Sequence, residues 1–187
     1  MLAIYREAIP AAERKPDAAI RAMTTHVDYV VLPFARSGRI VGFAAVFAPA
    51  DAPFALIEYL AAHRDSRSRG VGGAMIAAVI AALPGRPLLV EVEREGKMAE
   101  RRKAFYRRHG WVDLRDIAYA MPQVGDDPPP PVDLMLRAAT HGDPGDAPID
   151  RWIERIHADA YGVPPSDIFG TLGRGTNRRV NGSPRYA

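Results

Sequence analysis

The chain contains no cysteine at all. This absence excludes disulfide bonds, thiolate zinc sites and cysteine nucleophiles, and it fits a cytoplasmic protein. Histidine is also scarce, and the spacing of the five histidines, at positions 26, 63, 109, 141 and 157, is not that of metal ligands. We therefore expect no metal site.

Long hydrophobic runs are missing as well. The longest apolar stretches, 40–50 and 70–83, are shorter than the roughly 20 residues that cross a bilayer. The N-terminus lacks the basic segment and apolar stretch of a secretory signal. The net charge of +3, from 25 Lys and Arg against 22 Asp and Glu, is too small to indicate nucleic acid binding by itself. We expect a cytoplasmic protein without membrane contact.

The length of 187 residues, with 48% hydrophobic and 25% charged residues, predicts one globular domain, or one domain with an extension. Residues 125–131, GDDPPPP, form a proline-rich loop, and almost no large apolar residue follows position 171. We expect a domain over 1–138, a C-terminal extension with one helix over 139–170, and a disordered basic tail over 171–187.

Hydrophobic patterning predicts strands that alternate with helices. The predicted strands cover 2–6, 29–35, 40–48, 54–61, 88–93, 117–121 and 132–136, and the predicted helices cover 17–23, 72–83, 97–108 and 151–161. Asp17 and Asp150 are expected to cap the first and last helices. A strand–helix–strand unit implies parallel pairing and the hairpins imply antiparallel pairing, so we predict an α/β (α+β) fold with a mixed sheet.

The most informative segment is 67–73, RSRGVGG, between a predicted strand and an apolar helix. Glycines allow close backbone approach, the first N–H groups of a helix lack internal partners, and Arg67 and Arg69 add positive charge. These features predict a diphosphate site, and a purely structural turn is the alternative. The segment matches neither GxxxxGK[ST] nor GxGxxG, so an NTPase P-loop is not expected.

This turn resembles the [Q/R]-x-x-G-x-[G/A] acyl-CoA-binding motif of the GNAT superfamily of N-acetyltransferases, with matches at Arg67, Gly70 and Gly72. A second segment, AFYRRHGW at 104–111, is similar to the family's A-x-x-x-F-Y-x-x-x-G-F segment, with Tyr106 and Gly110 in register. The two motifs occur in the family's order, and the resemblance covers roughly residues 1–138. The chain departs from the family at Ala99 and Arg102, where Asn and Ala are frequent.

The resemblance implies a sheet that splays open beside the strand before the glycine turn, with acetyl-CoA as the cosubstrate. By the same resemblance, the backbone of Leu60 and Ala62 bonds the pantetheine arm. The residues expected to hold the diphosphate are Arg67, Arg69, Gly70, Val71, Gly72 and Gly73.

Acetyl transfer to an amine needs a neutral attacking amine and a proton for the leaving thiolate. Glu58 lies on the strand before the glycine turn, where members of the family frequently have a carboxylate base. Glu91 and Glu93 share one face of the following strand. Buried carboxylates favour a cleft, and salt bridges to nearby arginines are the alternative. By the resemblance Tyr106 is the general acid, because a phenol stays protonated at neutral pH; an ordinary core aromatic is the alternative.

We therefore expect an N-acetyltransferase in which a primary amine, on a small molecule or a protein, attacks acetyl-CoA directly. Two other classes stay open: a module that binds acyl-CoA without transfer, and a basic nucleic-acid-binding domain built on residues 101–109. The sequence does not determine the acceptor, and a homodimer is an open alternative.

Overall fold

A six-stranded mixed sheet organises the protein, as seen in a computed structural model that describes residues 1–67, 69–115, 117–125, 127–139 and 149–163. The strands are β1 Tyr29–Arg36, β2 Arg39–Phe47, β3 Ala55–Ala62, β4 Leu88–Glu93, β5 Val112–Asp113 and β6 Val132–Arg137. Their order in the sheet is β1-β2-β3-β4-β6-β5. β3 and β4 run parallel, and the other neighbouring pairs run antiparallel. The predicted mixed sheet is confirmed.

Helices cover both faces of this sheet. They are α1 Leu2–Ala8, α2 Asp17–Met23, α3 Val71–Ala82, α4 Lys97–Arg108 and α5 Ile149–Arg155, which continues as a π-helical turn, Ile156–Ala160. Val90 and Val92 of β4 lie in the core with residues of α3 and α4. Leu89, which points to the opposite face, packs in a cluster with Trp152 of α5. Among the described residues, no helix has the length and hydropathy to cross a membrane.

The sheet splits between β3 and β4. In the described chain the two strands pair over three positions, from Ala55 with Leu88 to Ile57 with Val90, and both then continue without pairing to each other. A register shift against β2 occurs at the same point of β3, where Val46 and Ala45 face Ile57 and Tyr59, so that Glu58 is the extra residue of a bulge. The splayed sheet that the resemblance implies is therefore present.

The prediction of a strand at 2–6 is wrong, because these residues belong to α1. Ile4 and Tyr5 are both buried, with 5% and 0% of their surfaces exposed. Adjacent residues point to opposite faces of a strand but lie on one side of a helix, so a helix can bury both against β2 and β3.

The prediction of a strand at 117–121 is also wrong. The place beside β6 is taken by β5, through the pairs of Val112 with Leu136 and Asp113 with Met135. The chain then leaves the sheet, and Tyr119 packs instead against Val132, Leu134 and Ile153.

The two predicted helix caps are wrong as well. Asp17 is the first residue of α2 and bonds Arg6 of α1 rather than the helix backbone. Asp150 lies inside the first turn of α5. The tail at 171–187 lies outside the described residues.

Candidate active site

The glycine turn forms the entry to α3. Gly70 has φ of +79°, a conformation that favours glycine, and immediately precedes the helix. The first bond of the helix runs from the N–H of Ala74 to the carbonyl of Gly70. Within the described chain, the N–H groups of Val71, Gly72 and Gly73 are therefore not taken by a protein acceptor, and they face the space before the helix. This is the geometry of an anion site.

Gly72 and Gly73 also have a packing role that the sequence did not reveal. A Cβ atom at Gly72 would lie 3.2 Å from the ring of Phe105, and one at Gly73 would lie 3.2 Å from Nε2 of His109. Both partners belong to α4 or the residue that ends it. Glycine thus allows α3 to approach α4 closely without displacing these side chains, whatever the turn binds.

The two arginines of the turn differ in their surroundings. The Nε of Arg67 donates to the carbonyl of Ala62 at 3.1 Å, and its guanidinium lies 3.7 Å from Glu7. Arg69 is exposed. Arg67 therefore ties the turn to the end of β3, and Arg69 projects from the turn.

The open edge of β3 carries Leu60 and Ala62. The N–H of His63 donates to Val41 of β2 at 2.9 Å. Because backbone groups alternate in direction along a strand, those of Ala62 and Leu60 point away from β2, towards the split. The carbonyl of Ala62 is bonded by Arg67, so Leu60 offers the free edge.

Tyr106 lies on the face of the sheet covered by α3 and α4. It is 7% exposed, and its ring lies 5.6 Å from that of Trp111 and 5.3 Å from that of Phe105. Burial raises the pKa of the Tyr106 hydroxyl, so it remains protonated at neutral pH. Among the described residues, no partner bonds this hydroxyl.

Glu58 lies on the opposite face of the sheet. Its side chain is 1% exposed, and Oε1 lies 2.7 Å from the ammonium of Lys15. The hydroxyl of Tyr29 donates to Oε2 at 2.7 Å. Oε2 therefore has a hydrogen-bond donor, whereas Oε1 has an ion-pair partner and accepts no hydrogen bond from the described residues.

Glu91 lies on the same face as Glu58. Two hydroxyls donate to its carboxylate: that of Tyr119 to Oε1, and that of Tyr161 to Oε2 at 2.5 Å. Burial raises the pKa of Glu91 to about 7, and the two hydrogen bonds act in the opposite direction. A carboxylate with this pKa can gain and lose a proton at physiological pH.

Glu93 forms the salt bridge that the sequence left as an alternative, with 3.1 Å between Oε2 and Arg102. Burial, and then the charge of Glu93, raise the pKa of Glu13. These side chains enclose a cavity of about 50 Å³, whose lining includes Glu13, Glu58, Glu91, Glu93, Arg102 and Tyr161. The cavity is acidic, because its lining contains four carboxylates and one guanidinium.

The structure thus brings the predicted residues together in two groups, one on each face of the sheet. Tyr106 and the glycine turn lie on the α3 and α4 face, and Glu58 and Glu91 lie on the α1, α2 and α5 face. Both carboxylates stand just past the last paired positions, Ile57 and Val90, where β3 and β4 separate. The two carboxylates therefore border the gap between β3 and β4.

Four residues that hold the carboxylates were missed by sequence reasoning: Lys15, Tyr29, Tyr119 and Tyr161. Each acts from a distant part of the chain; Tyr161 is 70 residues from Glu91, and Tyr29 is 29 residues from Glu58. No local motif marks them. Among the described residues, no cluster of side chains could hold a metal ion.

Comparisons with known proteins agree with this fold. Residues 28–113 match the family model described as the acetyltransferase (GNAT) domain. A structure from Bacteroides thetaiotaomicron, described as a GNAT-family acetyltransferase, is similar with a TM-score of 0.74 and 26% identity, over 88% of this chain and 91% of that one. No curated protein matches the chain.

Two more distant structures share the fold. The ribosomal-protein-S18-alanine N-acetyltransferase of Escherichia coli has a TM-score of 0.53 and 18% identity, over 68% of this chain and 81% of that one. An acetyltransferase from Thermus thermophilus has a TM-score of 0.50 and 17% identity, over 64% of this chain and 70% of that one.

Proposed function

We propose that the chain, whose residues 28–113 match the acetyltransferase (GNAT) domain, transfers the acetyl group of acetyl-CoA to a primary amine by direct attack. One observation carries the proposal: Glu58 and Glu91 lie just past the last paired positions of β3 and β4, and Tyr106 lies on the opposite face of the sheet, in the cluster that contains Val90 and Val92 of β4. An acceptor on the acidic face and a thioester in the opening would meet there.

The residues present fit acetyl-CoA. The first N–H groups of α3, at Val71, Gly72 and Gly73, find no acceptor among the described residues and, with Arg69, suit a diphosphate. The edge of β3 at Leu60, past its last described pair with β4, suits an amide chain. When bound, acetyl-CoA supplies an activated acetyl thioester. In this proposal Arg67 and Gly70 shape the turn, and Ala62 anchors it through its carbonyl.

The carboxylates take the proton. Glu91 has a pKa of about 7, so it is partly ionised at neutral pH and can accept a proton from an alkylammonium. Glu58 is the second candidate, since its carboxylate already binds a primary ammonium, that of Lys15. On the other face, the hydroxyl of Tyr106, which no described residue bonds, donates a proton to the departing sulfur.

The basic segment 101–109 gives little support to the nucleic acid alternative. Lys103 is 5% exposed and bonds Asp133 at 2.8 Å. Arg102 pairs with Glu93, and Arg107 pairs with Asp113 at 2.8 Å. Much of this charge is therefore neutralised within the protein, whereas a nucleic acid site needs cations that face phosphates.

The proposal is tested by following thiol release from acetyl-CoA with a panel of amines, for the wild type and for the double variant Glu58→Gln and Glu91→Gln. We expect amine-dependent thiol release by the wild type, and a loss of most of it in the double variant with CoA affinity unchanged. Calorimetric binding of CoA without turnover of any amine would identify an acyl-CoA-binding module instead.

A further inference from the structure

Lys15 reaches from the turn between α1 and α2 into the acidic side of the sheet. Its ammonium lies 2.7 Å from Oε1 of Glu58, 2.5 Å from the carbonyl oxygen of Ala160 and 4.7 Å from the centre of the Tyr161 ring. The side chain is only 10% exposed. Glu58, one of the two candidate bases, therefore already binds an alkylammonium, which is the side chain of Lys15.

The three partners of this ammonium are groups that recognise a primary amine in its charged form. The carbonyl of Ala160 accepts one of its three N–H bonds, the Glu58 carboxylate forms an ion pair with it, and the face of the Tyr161 ring attracts the positive charge. An alcohol lacks the charge, and a tertiary ammonium has one N–H bond left. The site therefore favours a primary alkylammonium, and the side chain that carries the ammonium here, that of Lys15, is unbranched.

Lys15 also stands between an outer groove and the inner acidic cavity. The outer groove has a volume of about 460 Å³, and its lining includes Lys15, Tyr5, Arg14 and Val124. The inner cavity is lined by Glu58 and Tyr161, the residues that contact the Lys15 ammonium. A ligand that enters from the groove would reach the carboxylates at the place where this ammonium lies.

The backbone of the turn is held independently of the ammonium. The hydroxyl of Tyr5 donates to the carbonyl of Lys15 at 3.1 Å, and that of Tyr59 donates to the carbonyl of Glu13 at 3.3 Å. The side chain of Lys15 can therefore leave the subsite while the turn stays in place.

We propose that Lys15 is an internal competitor for the ammonium subsite of the acceptor, and that the acceptor is an unbranched primary alkylammonium that displaces it. The subsite consists of the Glu58 carboxylate, the Ala160 carbonyl and the Tyr161 ring, so the C-terminal helix forms one wall of it. This inference rests on the proposed acetyltransferase function. The apparent association constant for the acceptor equals the intrinsic one multiplied by the fraction of molecules in which Lys15 has left the subsite.

The first test is calorimetric titration of n-butylamine, in its ammonium form, into the wild type, Lys15→Ala and Lys97→Ala. Lys97 is an exposed lysine at the start of α4 and serves as the matched control. We expect Lys15→Ala to bind about tenfold more tightly than the wild type, Lys97→Ala to bind like the wild type, and 1-butanol to show no such gain. Equal affinity in a folded Lys15→Ala variant overturns the proposal.

The second test uses the unchanged protein, so it stands even if Lys15→Ala does not fold. The chain has three lysines, at 15, 97 and 103, and their side-chain ammonium groups can be followed by NMR after labelling with nitrogen-15. We expect n-butylamine to shift the Lys15 signal and to leave that of Lys103, which is bonded to Asp133, unchanged. A Lys15 signal that does not respond at saturating amine overturns the proposal.

Thiol release separates this inference from the proposed function. If other amines are acetylated but n-butylamine binds at Lys15 without being acetylated, the subsite is not that of the acceptor, and the inference is wrong while the function stands. If no amine promotes thiol release from acetyl-CoA by either the wild type or Lys15→Ala, the acetyltransferase function itself fails, and with it the role of an acceptor subsite.

Discussion

Tyr161, directly after the C-terminal helical segment, donates a hydrogen bond of 2.5 Å to Oε2 of Glu91 on the central strand β4. Glu91 also accepts a hydrogen bond from Tyr119, which follows β5. Glu91 is therefore held by hydrogen bonds from two segments, around Tyr119 and Tyr161, that lie outside the unit formed by β3, α3 and β4. This arrangement makes the hydrogen-bond donors of Glu91 the most direct means of changing its pKa.

The first prediction concerns stability and Glu91. Its pKa is raised to about 7 in the folded protein, so between about pH 4.5 and 7 the folded protein retains a proton that the unfolded chain releases. The free energy of unfolding should therefore fall as pH rises through this window, by about 3 kcal/mol in total, and should stay lowered above it. Glu91→Gln should remove this fall, as measured by urea denaturation at several pH values. The exposed control Glu95→Gln should keep it.

The second prediction separates the two candidate bases. Tyr161→Phe deletes a hydrogen bond that lowers the pKa of Glu91, so that pKa should rise, and the acidic limb of the pH–rate profile should move up by roughly one pH unit. Tyr29→Phe deletes the corresponding bond to Glu58. A limb that responds to Tyr29→Phe and not to Tyr161→Phe would assign the base to Glu58. If both hydroxyls have a merely structural role, the acidic limb should keep its position in both variants.

The third prediction concerns Tyr106. Phenylalanine keeps the ring that packs on Trp111 and removes only the hydroxyl, so CoA affinity and melting temperature should change little. Turnover should fall by about 10²- to 10⁴-fold, the usual effect of losing a positioned general acid. A Tyr106→Phe protein with wild-type turnover would show that Tyr106 is a core residue.

The fourth prediction concerns the glycine turn. Arg69→Glu places a negative charge beside the free N–H groups of α3 and should weaken CoA binding by about tenfold or more, as measured by calorimetry. Arg151→Glu, exposed on α5, makes the same change of charge near the start of β3, where Trp152 stacks on Phe54, and should have little effect because the turn follows the other end of β3. Equal losses in both variants would point to net charge alone. Gly72 is unsuited to this test, because any side chain there meets Phe105.

The fifth prediction concerns folding. One guanidinium nitrogen of Arg86 donates to the carbonyls of Pro49, Ala52 and Phe54 at 2.6, 2.5 and 2.8 Å. Arg86→Met keeps the aliphatic stem and leaves these carbonyls without their cation, so it should lower the free energy of unfolding, measured by urea denaturation, by about 2–4 kcal/mol. Arg86→Lys should recover only part of this, because an ammonium cannot match the planar arrangement.

The local order of the chain could largely be predicted from its sequence. The strand at 88–93 and the helices at 17–23 and 97–108 have the predicted bounds, because period-two and helical apolar patterns act within a few residues. The failures fall where a neighbour decides: residues 2–6 bury Ile4 and Tyr5 together only as a helix, and the place beside β6 went to β5 rather than to 117–121.

The sequence by itself also determined the glycine turn, Tyr106 and the acidic positions Glu58, Glu91 and Glu93, since each lies in a short motif or an alternating strand. Only the tertiary structure decided what these groups bind and on which face they act. The β-bulge at Glu58 and the split beyond Ile57 place Glu58 and Glu91 beside the gap between β3 and β4, on the face of the sheet opposite Tyr106. The partners Lys15 and Tyr161 then come from both ends of the described chain, because buried carboxylates need donors, and any segment that packs above the sheet can supply them.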